Sequence, residues 1–257
     1  MSRLAGRRIW VTGASSGIGA ALAAELARRG ARVAVTARRQ EALQNVAAPL
    51  GLRVEPGDVT DGAGIRDIVR RLEAEWGGLD IVVLNAGTYE PVTPDDLRAE
   101  VFRRHFDVNA LGAINCIEAV LPGMRERRSG LIAVTSSVTG LAGLPLASAY
   151  GATKAYLISM CDSLRADLAS SGVGVTVILP GFVRTPLTDQ NDFRMPGIIE
   201  ADEAARIIAD GLERGRAEIG VPVKALAFMK ALAMAPGPLR RRYVARIARK
   251  RERDRTP

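Results

Sequence analysis

Over the first 220 residues, short apolar runs rich in β-branched side chains alternate with longer stretches of helical periodicity, and few folds accept that alternation. The runs at 8–12, 32–36, 52–55, 80–84, 131–136, 174–179 and 217–220 predict strands, and the stretches at 17–29, 39–48, 64–76, 97–127, 149–171 and 201–214 predict helices. A strand that returns to its own sheet through a helix must run parallel to its predecessor. The expectation is therefore α/β, one doubly wound parallel sheet of about seven strands in a single domain. No linker or repeat interrupts residues 1–223.

Composition narrows the functional classes. A hydrophobic share of 47% with a mean hydropathy of +0.07 supports a packed core and excludes a disordered chain. The net charge of +8 suggests nucleic acid until it is located: residues 224–257 hold eleven Lys or Arg against two acids, so residues 1–223 carry −1. Cys116 and Cys161 stand far apart, without metal-ligand spacing or a disulfide framework, and fit a reducing compartment. Arg7 and Arg8 abut the first strand run, no signal-peptide pattern is read, and the expected location is cytoplasmic.

The stretch "WVTGASSGIGA", residues 10–20, spells two different devices. Gly13, Ser15 and Gly17 fit the G-x-S-x-G of a hydrolase elbow, but that motif needs a sheet already built before it and a histidine late in the chain. The single histidine, His105, lies mid-chain within a helical stretch. The same residues fit a phosphate-binding turn, which needs a strand before, a helix after, and glycines where the backbone turns and approaches a pyrophosphate. All three are present, so Gly13, Ser15, Ser16, Gly17, Ile18 and Gly19 are the expected phosphate contacts.

The end of the second strand refines the cofactor. An acid there would accept from an adenosine 2′-hydroxyl, whereas an arginine accommodates a 2′-phosphate. Here Ala37 takes the acid's place and Arg38 and Arg39 follow, so NADP (NADPH) is expected over NAD. Further along, Tyr150 and Lys154 are four apart in a helical stretch and share one face. A nearby ammonium stabilises a phenolate, so such a pair can exchange a proton with a substrate oxygen.

Taken in order, "TGASSGIG", "GDVT" (57–60), "LNAG" (84–87), "VNALG" (108–112), "TSSV" (135–138), "YGATK" (150–154) and "PGFVRTP" (180–186) resemble the short-chain dehydrogenase/reductase family over about residues 5–220. The resemblance is closest to its single-domain, NADP-preferring branch, and it implies a Rossmann-type fold and an NADP-dependent oxidoreductase acting on CH–OH groups. By position, Tyr150 matches the acid/base and Lys154 the lysine that lowers the tyrosine pKa and holds the nicotinamide ribose. Ser137, rather than the adjacent Ser136, matches the partner of the substrate carbonyl, and Asn109 matches the residue that supports a proton relay through a water. Asp58 and Val59 match residues beside the adenine, Asn85, Ala86 and Gly87 the turn on the adenosine side, and Pro180, Gly181, Val183 and Thr185 the segment that holds the nicotinamide.

The implied reaction transfers hydride between NADPH and a fairly apolar ketone, aldehyde or secondary alcohol, with Leu144 and Phe182 among the expected substrate contacts beside Leu141, Leu187 and Met195. A β-ketoacyl thioester reductase is the alternative within the enzymes, and a non-enzymatic NADP-binding sensor or scaffold the alternative outside them. The resemblance also implies a homodimer or homotetramer. Beyond it, residues 224–257 form a basic C-terminal extension in which Leu239, Tyr243 and Ile247 recur every four residues among arginines. Such a segment fits either a peripheral contact with an anionic membrane surface or packing on the domain or a neighbouring subunit. Nucleic acid is not expected, because no aromatic stacking pattern accompanies the charge.

Overall fold

Seven strands, β1 (Arg8–Thr12), β2 (Arg32–Thr36), β3 (Arg53–Val54), β4 (Ile81–Leu84), β5 (Gly130–Thr135), β6 (Val173–Pro180) and β7 (Glu218–Val221), form one parallel sheet in the order β3-β2-β1-β4-β5-β6-β7. The computed structural model describes residues 2–193 and 195–255, with side chains described through Arg249. The doubly wound α/β fold expected from the alternation is the one observed. Helices α1 (Gly17–Arg28), α2 (Gln40–Ala47) and α7 (Ala201–Glu213) cover one face, where Leu22, Leu26, Leu43, Ile208 and Leu212 meet Ile9, Val11, Val33 and Val83. On the other face lie α3 (Gly62–Trp76), α5 (Gly112–Glu126) and α6 (Ser148–Asp167), with Leu72, Val120 and Leu157 packed against Trp10, Val82, Ile132 and Val177. Because both faces are covered, the central strands are apolar at nearly every position instead of alternating.

The observed elements differ from the sequence pattern where contacts from afar intervene. The third strand pairs over two residues only, although the Glu55 and Gly57 N–H groups still donate to the Val35 and Ala37 carbonyls at 3.0 and 3.1 Å, with Pro56 between them at the sheet edge. The helix over α3 starts two residues early because the Asp61 carboxylate accepts from the N–H groups of Ala63 and Gly64 at 3.1 and 3.0 Å. The long helical stretch at 97–127 is three pieces: α4 (Ala99–His105), a π-helical turn over Phe106–Leu111, and α5. Two further helices, α8 (Val223–Met234) and α9 (Gly237–Arg255), follow β7, separated at the Pro236-Gly237-Pro238 break. Leu226, Met229 and Leu232 of α8 join the core. The basic residues of the extension from Lys250 onward lie outside the described side chains.

The start of the sheet is tied to its centre through Asp80, which pairs with Arg8 at 2.8 Å and with Arg7 at 3.8 Å. Asp80, just before β4, accepts from the Arg8 backbone N–H at 2.8 Å and from Arg8 Nε and Nη2 at 2.9 and 2.8 Å. The Arg8 guanidinium holds the Asp80 carboxyl below its ordinary pKa. A lowered carboxylate pKa stabilises the fold above the usual carboxylate range, and that stabilisation is lost as the pH falls through the folded-state value. Asp80→Asn is thus expected to lower unfolding free energy by about 1–2 kcal/mol at neutral pH. Urea titrations should show the gap to the unmodified protein closing as the pH falls below about 4.

Candidate active site

The sheet reverses its winding between β1 and β4, and ligands of such sheets bind in the crevice beyond the carboxyl ends of the strands at that point. The crevice is closed at its base by Thr12, whose hydroxyl accepts from the N–H groups of Asn85 and Ala86 at 3.1 and 3.2 Å. These contacts bring two turns together so closely that side chains have no room. A Cβ on Gly13, whose φ is +66°, would lie 2.7 Å from the Ala86 Cα, and one on Gly19 would lie 2.3 Å from the Gly13 carbonyl oxygen.

A cleft of about 350 Å³ opens above this junction. Gly13, Ser15, Ser16, Gly17 and Ile18 line one end with Arg38 and Arg39, and Asp58, Val59, Asn85, Ala86 and Gly87 form the wall beside them. Ser137, Tyr150, Lys154, Pro180, Gly181, Val183 and Thr185 line it as well. Gly19 lies behind the turn, where it lets α1 approach β1. Leu144 and Phe182 are outside the wall: Leu144 packs against the core, and the Phe182 ring meets that of Phe193 at 5.9 Å. Thr88, Val108, Pro186, Leu187 and Thr188 line the cleft too; Leu187 is one of the apolar residues expected at the substrate, and Pro186 and Thr188 flank it in the loop after β6.

The phosphate end suits an anion on two independent grounds. The N-terminus of α1 has no acidic residue in its first turn and no side-chain cap from Ser16, so its dipole is unneutralised from within. Arg38 and Arg39 are exposed, and among the described residues neither enters an ion pair. The residues present therefore fit a dinucleotide carrying a pyrophosphate.

At the other end, three elements converge on Tyr150. Ser137 follows β5 and caps a 3₁₀ turn over Val138–Gly140, where its Oγ accepts from the Thr139 N–H at 3.2 Å and lies 2.5 Å from Thr139 Oγ1. That turn lies against α6 because residue 140 is glycine: a Cβ there would stand 2.6 Å from the Lys154 carbonyl carbon. The two neighbouring serines divide their tasks. Ser136 Oγ donates to the Lys154 carbonyl at 2.7 Å and clamps α6 to the sheet, while Ser137 Oγ donates to the Pro180 carbonyl at 3.2 Å and lines the cleft with Tyr150.

Lys154 is buried, donates from Nζ to the Thr135 carbonyl at 2.9 Å, and lies 5.4 Å from the Tyr150 ring centroid. Beside it, the Thr135 hydroxyl is buried without a hydrogen-bond partner among the described residues. Burial sets the protonation of the pair. Desolvation pushes the Tyr150 phenol up to about 12, partly offset by the neighbouring Ser137 hydroxyl, and pulls Lys154 down to about 8.

Asn109, also buried, stands one layer behind the cleft at the π-helical turn. Its Oδ1 accepts from the Thr88 N–H at 2.7 Å, and its Nδ2 donates to the Thr88 carbonyl at 3.0 Å and to Thr153 Oγ1 at 3.1 Å. The side chain thus pairs with a loop backbone as a strand neighbour would, which accounts for the displaced helical register around it. Gly87 lies close to both Asn109 and Lys154: a Cβ there would stand 3.3 Å from Asn109 Oδ1 and 3.7 Å from Lys154 Nζ. His105, which had no assigned role, locks the same loop. Its ring bonds the Val101 carbonyl through Nδ1 at 2.7 Å and accepts from the Glu90 N–H through Nε2 at 3.0 Å, a neutral tautomer favoured by burial. The loop so held presents Tyr89, whose ring meets that of Tyr150 edge to face at 5.2 Å.

This arrangement can be set beside known proteins. The sequence profile described as short chain dehydrogenase matches residues 7–194. The chain belongs to the short-chain dehydrogenase family. An uncharacterised oxidoreductase of Myxococcus xanthus is 41% identical over 244 residues, covering 93% of this chain and 96% of its own. One from Staphylococcus epidermidis is 36% identical over 204 residues, covering 79% and 89%. The crystal structure of a short-chain dehydrogenase from Streptomyces avermitilis superimposes with a TM-score of 0.78 at 30% identity, covering 88% of this chain and 92% of that one. This short-chain dehydrogenase is accordingly an oxidoreductase of a family that uses nicotinamide dinucleotides.

The close approach at Gly140 gives a test of how the site is built. Gly140→Ala is expected to cost about 1–3 kcal/mol, because the obstructing atoms are helix backbone and cannot rotate away. Gly143→Ala, with nothing within 4 Å, should leave the thermal midpoint of this dehydrogenase unchanged.

Proposed function

We propose that the protein is an NADPH-dependent carbonyl reductase in which Tyr150 is the proton donor. The observation that carries this reading is the single cleft, with the glycine turn and Arg38 and Arg39 along one part of its wall and Ser137, Tyr150 and Lys154 along another. When bound, the nicotinamide supplies hydride to the carbonyl carbon. Gly13, Ser15, Ser16, Gly17 and Ile18 hold the pyrophosphate, and Arg38 and Arg39 meet the 2′-phosphate with opposite charge. Asp58 and Val59 receive the adenine, Asn85, Ala86 and Gly87 brace the adenosine side, and Pro180, Gly181, Val183 and Thr185 hold the nicotinamide end.

Ser137 and Tyr150 orient the substrate oxygen by hydrogen bonds, and the Tyr150 O–H bond breaks as its proton passes to that oxygen. A phenol held at about 12 is fully protonated at neutral pH, which suits donation. The buried Lys154 ammonium stabilises the phenolate left behind, and the closeness of Lys154 and Asn109 to Gly87 suits a relay in which a water restores the proton. Val183, Pro186 and Leu187 add apolar side chains to the wall, which suits a fairly apolar ketone or aldehyde. A cytoplasmic setting, where the NADP pool is kept reduced, favours the reductive direction.

Two measurements test this reading. Arg38→Ala is expected to weaken NADPH binding about 10- to 100-fold in fluorescence titration while changing NADH binding little, since only the former carries the 2′-phosphate. Equal loss for both cofactors would refute the role of Arg38. With a panel of apolar ketones and aldehydes, kcat/KM for reduction should hold level below about pH 8 and fall above it, as Lys154 gives up the charge that supports the phenolate. Tyr150→Phe should bind NADPH normally and lose roughly 10²- to 10⁴-fold in turnover.

A further inference from the structure

Outside the cleft, the surface that the packing of the domain leaves unexplained is formed by α8 and α9. Leu226, Met229 and Leu232 turn one side of α8 inward. The other side leaves Phe228 and Met234 exposed, Met234 at 85%. Over residues 237–249, α9 buries nothing, and it exposes Leu239, Tyr243 and Ile247 at helical spacing along one side. The rings of Phe228 and Tyr243 meet edge to face at 5.8 Å and join the apolar strips of the two helices.

Charge surrounds this strip. From residue 219 to residue 251 the chain has no acid, and Lys224, Lys230, Arg240, Arg241, Arg242, Arg246 and Arg249 are all exposed. Lys230 pairs with Glu218 at 2.5 Å and Arg240 donates to the Ala233 carbonyl at 3.2 Å, but the remaining five have no ion-pair partner among the described residues. An exposed row of large apolar side chains inside a ring of unneutralised cations asks for a partner that is anionic at its surface and apolar just beneath.

Three partners can be weighed by that requirement. A second copy of the chain, docked through the same face, would set these cations against themselves, because a two-fold contact joins a patch to its own image. A polyphosphate backbone would engage the cations but give Met234, Leu239 and Ile247 nothing to bury against, and the two aromatic rings are already packed on each other. An anionic phospholipid bilayer uses both features at once.

We propose that α8 and α9 form an interfacial anchor that seats the protein on anionic membrane surfaces. Phe228, Met234, Leu239, Tyr243 and Ile247 enter the boundary between headgroups and acyl chains, and the arginines lie against lipid phosphates with their stems along the same boundary. Among the described residues no helix is long and apolar enough to cross a membrane, so the contact is peripheral. The anchor is rooted beside the cleft: the Ala225 Cβ stands 3.0 Å from where a Cβ on Gly181 would be, and α8 packs against the turn that Ser137 caps.

The test is flotation of the purified full-length protein with vesicles of phosphatidylcholine alone or with roughly one-third phosphatidylglycerol, at about 0.15 M salt. Binding to the anionic vesicles is expected to exceed binding to the neutral ones by at least about tenfold. Leu239→Asp/Ile247→Asp, which keeps every cation, should lose about tenfold or more of that binding. Arg241→Gln/Arg242→Gln, which keeps the apolar strip, should lose about fivefold per charge. Unchanged thermal midpoints establish that both variants fold. Equal binding to both vesicles, anionic binding unaffected by Leu239→Asp/Ile247→Asp, or capture by single-stranded RNA without flotation would each overturn the proposal. The readout is binding and not turnover, so it stands or falls apart from the reductase reading.

Discussion

The bond between the Thr12 hydroxyl and the backbone of Asn85 and Ala86 is the constraint on which the rest of the site depends. It joins β1 to β4 where the sheet reverses, and in doing so it draws the turn after β1 against the turn after β4. Glycine at 13 and 19 is the only residue type that survives that approach. Once the turns are in place, α1 leaves with its first N–H groups facing the crevice, and the cleft becomes an anion site without further help. A sheet of the same topology with bulkier turns would have the strands but no cradle.

The opposite end of the cleft rests on a second close approach. Gly140 lets the turn capped by Ser137 lie directly on the backbone of α6, and Ser136 fastens the contact from below. Lys154 is thereby buried beside the half-buried Tyr150, in a corner where water does not level their acidities. Burial raises the phenol to about 12 and lowers the ammonium to about 8, so two groups of similar acidity in water are driven apart, each toward its neutral form. Asn109 and His105 secure the loop behind them by accepting from the Thr88 and Glu90 N–H groups, and glycine at 87 keeps that loop close to Asn109 and Lys154.

Much of this was legible in the sequence, and for identifiable reasons. Parallel strands covered on both faces leave apolar runs that alternate with helices, so the sheet could be read directly. The glycine turn and the Tyr150–Lys154 pair were legible because their spacing is local. What escaped was non-local. The π-helical turn at Phe106–Leu111 arises from bonds between Asn109 and Thr88, 21 residues earlier, and a pattern of helical periodicity at 97–127 cannot reveal it. His105 and Tyr89 carried no signal, since their roles come from a loop folding back. Leu144 and Phe182 are apolar residues in loops, and apolarity does not say which way a loop side chain turns. For α8, two lysines among small apolar residues hid the inward side of a helix that only the packing against β7 and β6 defines.

The most direct measurement is a crystal structure with NADP⁺ bound. One continuous cofactor should span the cleft, with its 2′-phosphate on Arg38 and Arg39, its pyrophosphate at the start of α1, and the nicotinamide ring beside Tyr150 and Ser137, with room for a substrate carbonyl between ring and phenol. A nicotinamide ring placed away from Tyr150 and Ser137, or a 2′-phosphate that leaves both arginines untouched, would contradict the assignment of this cleft to NADPH-dependent carbonyl reduction.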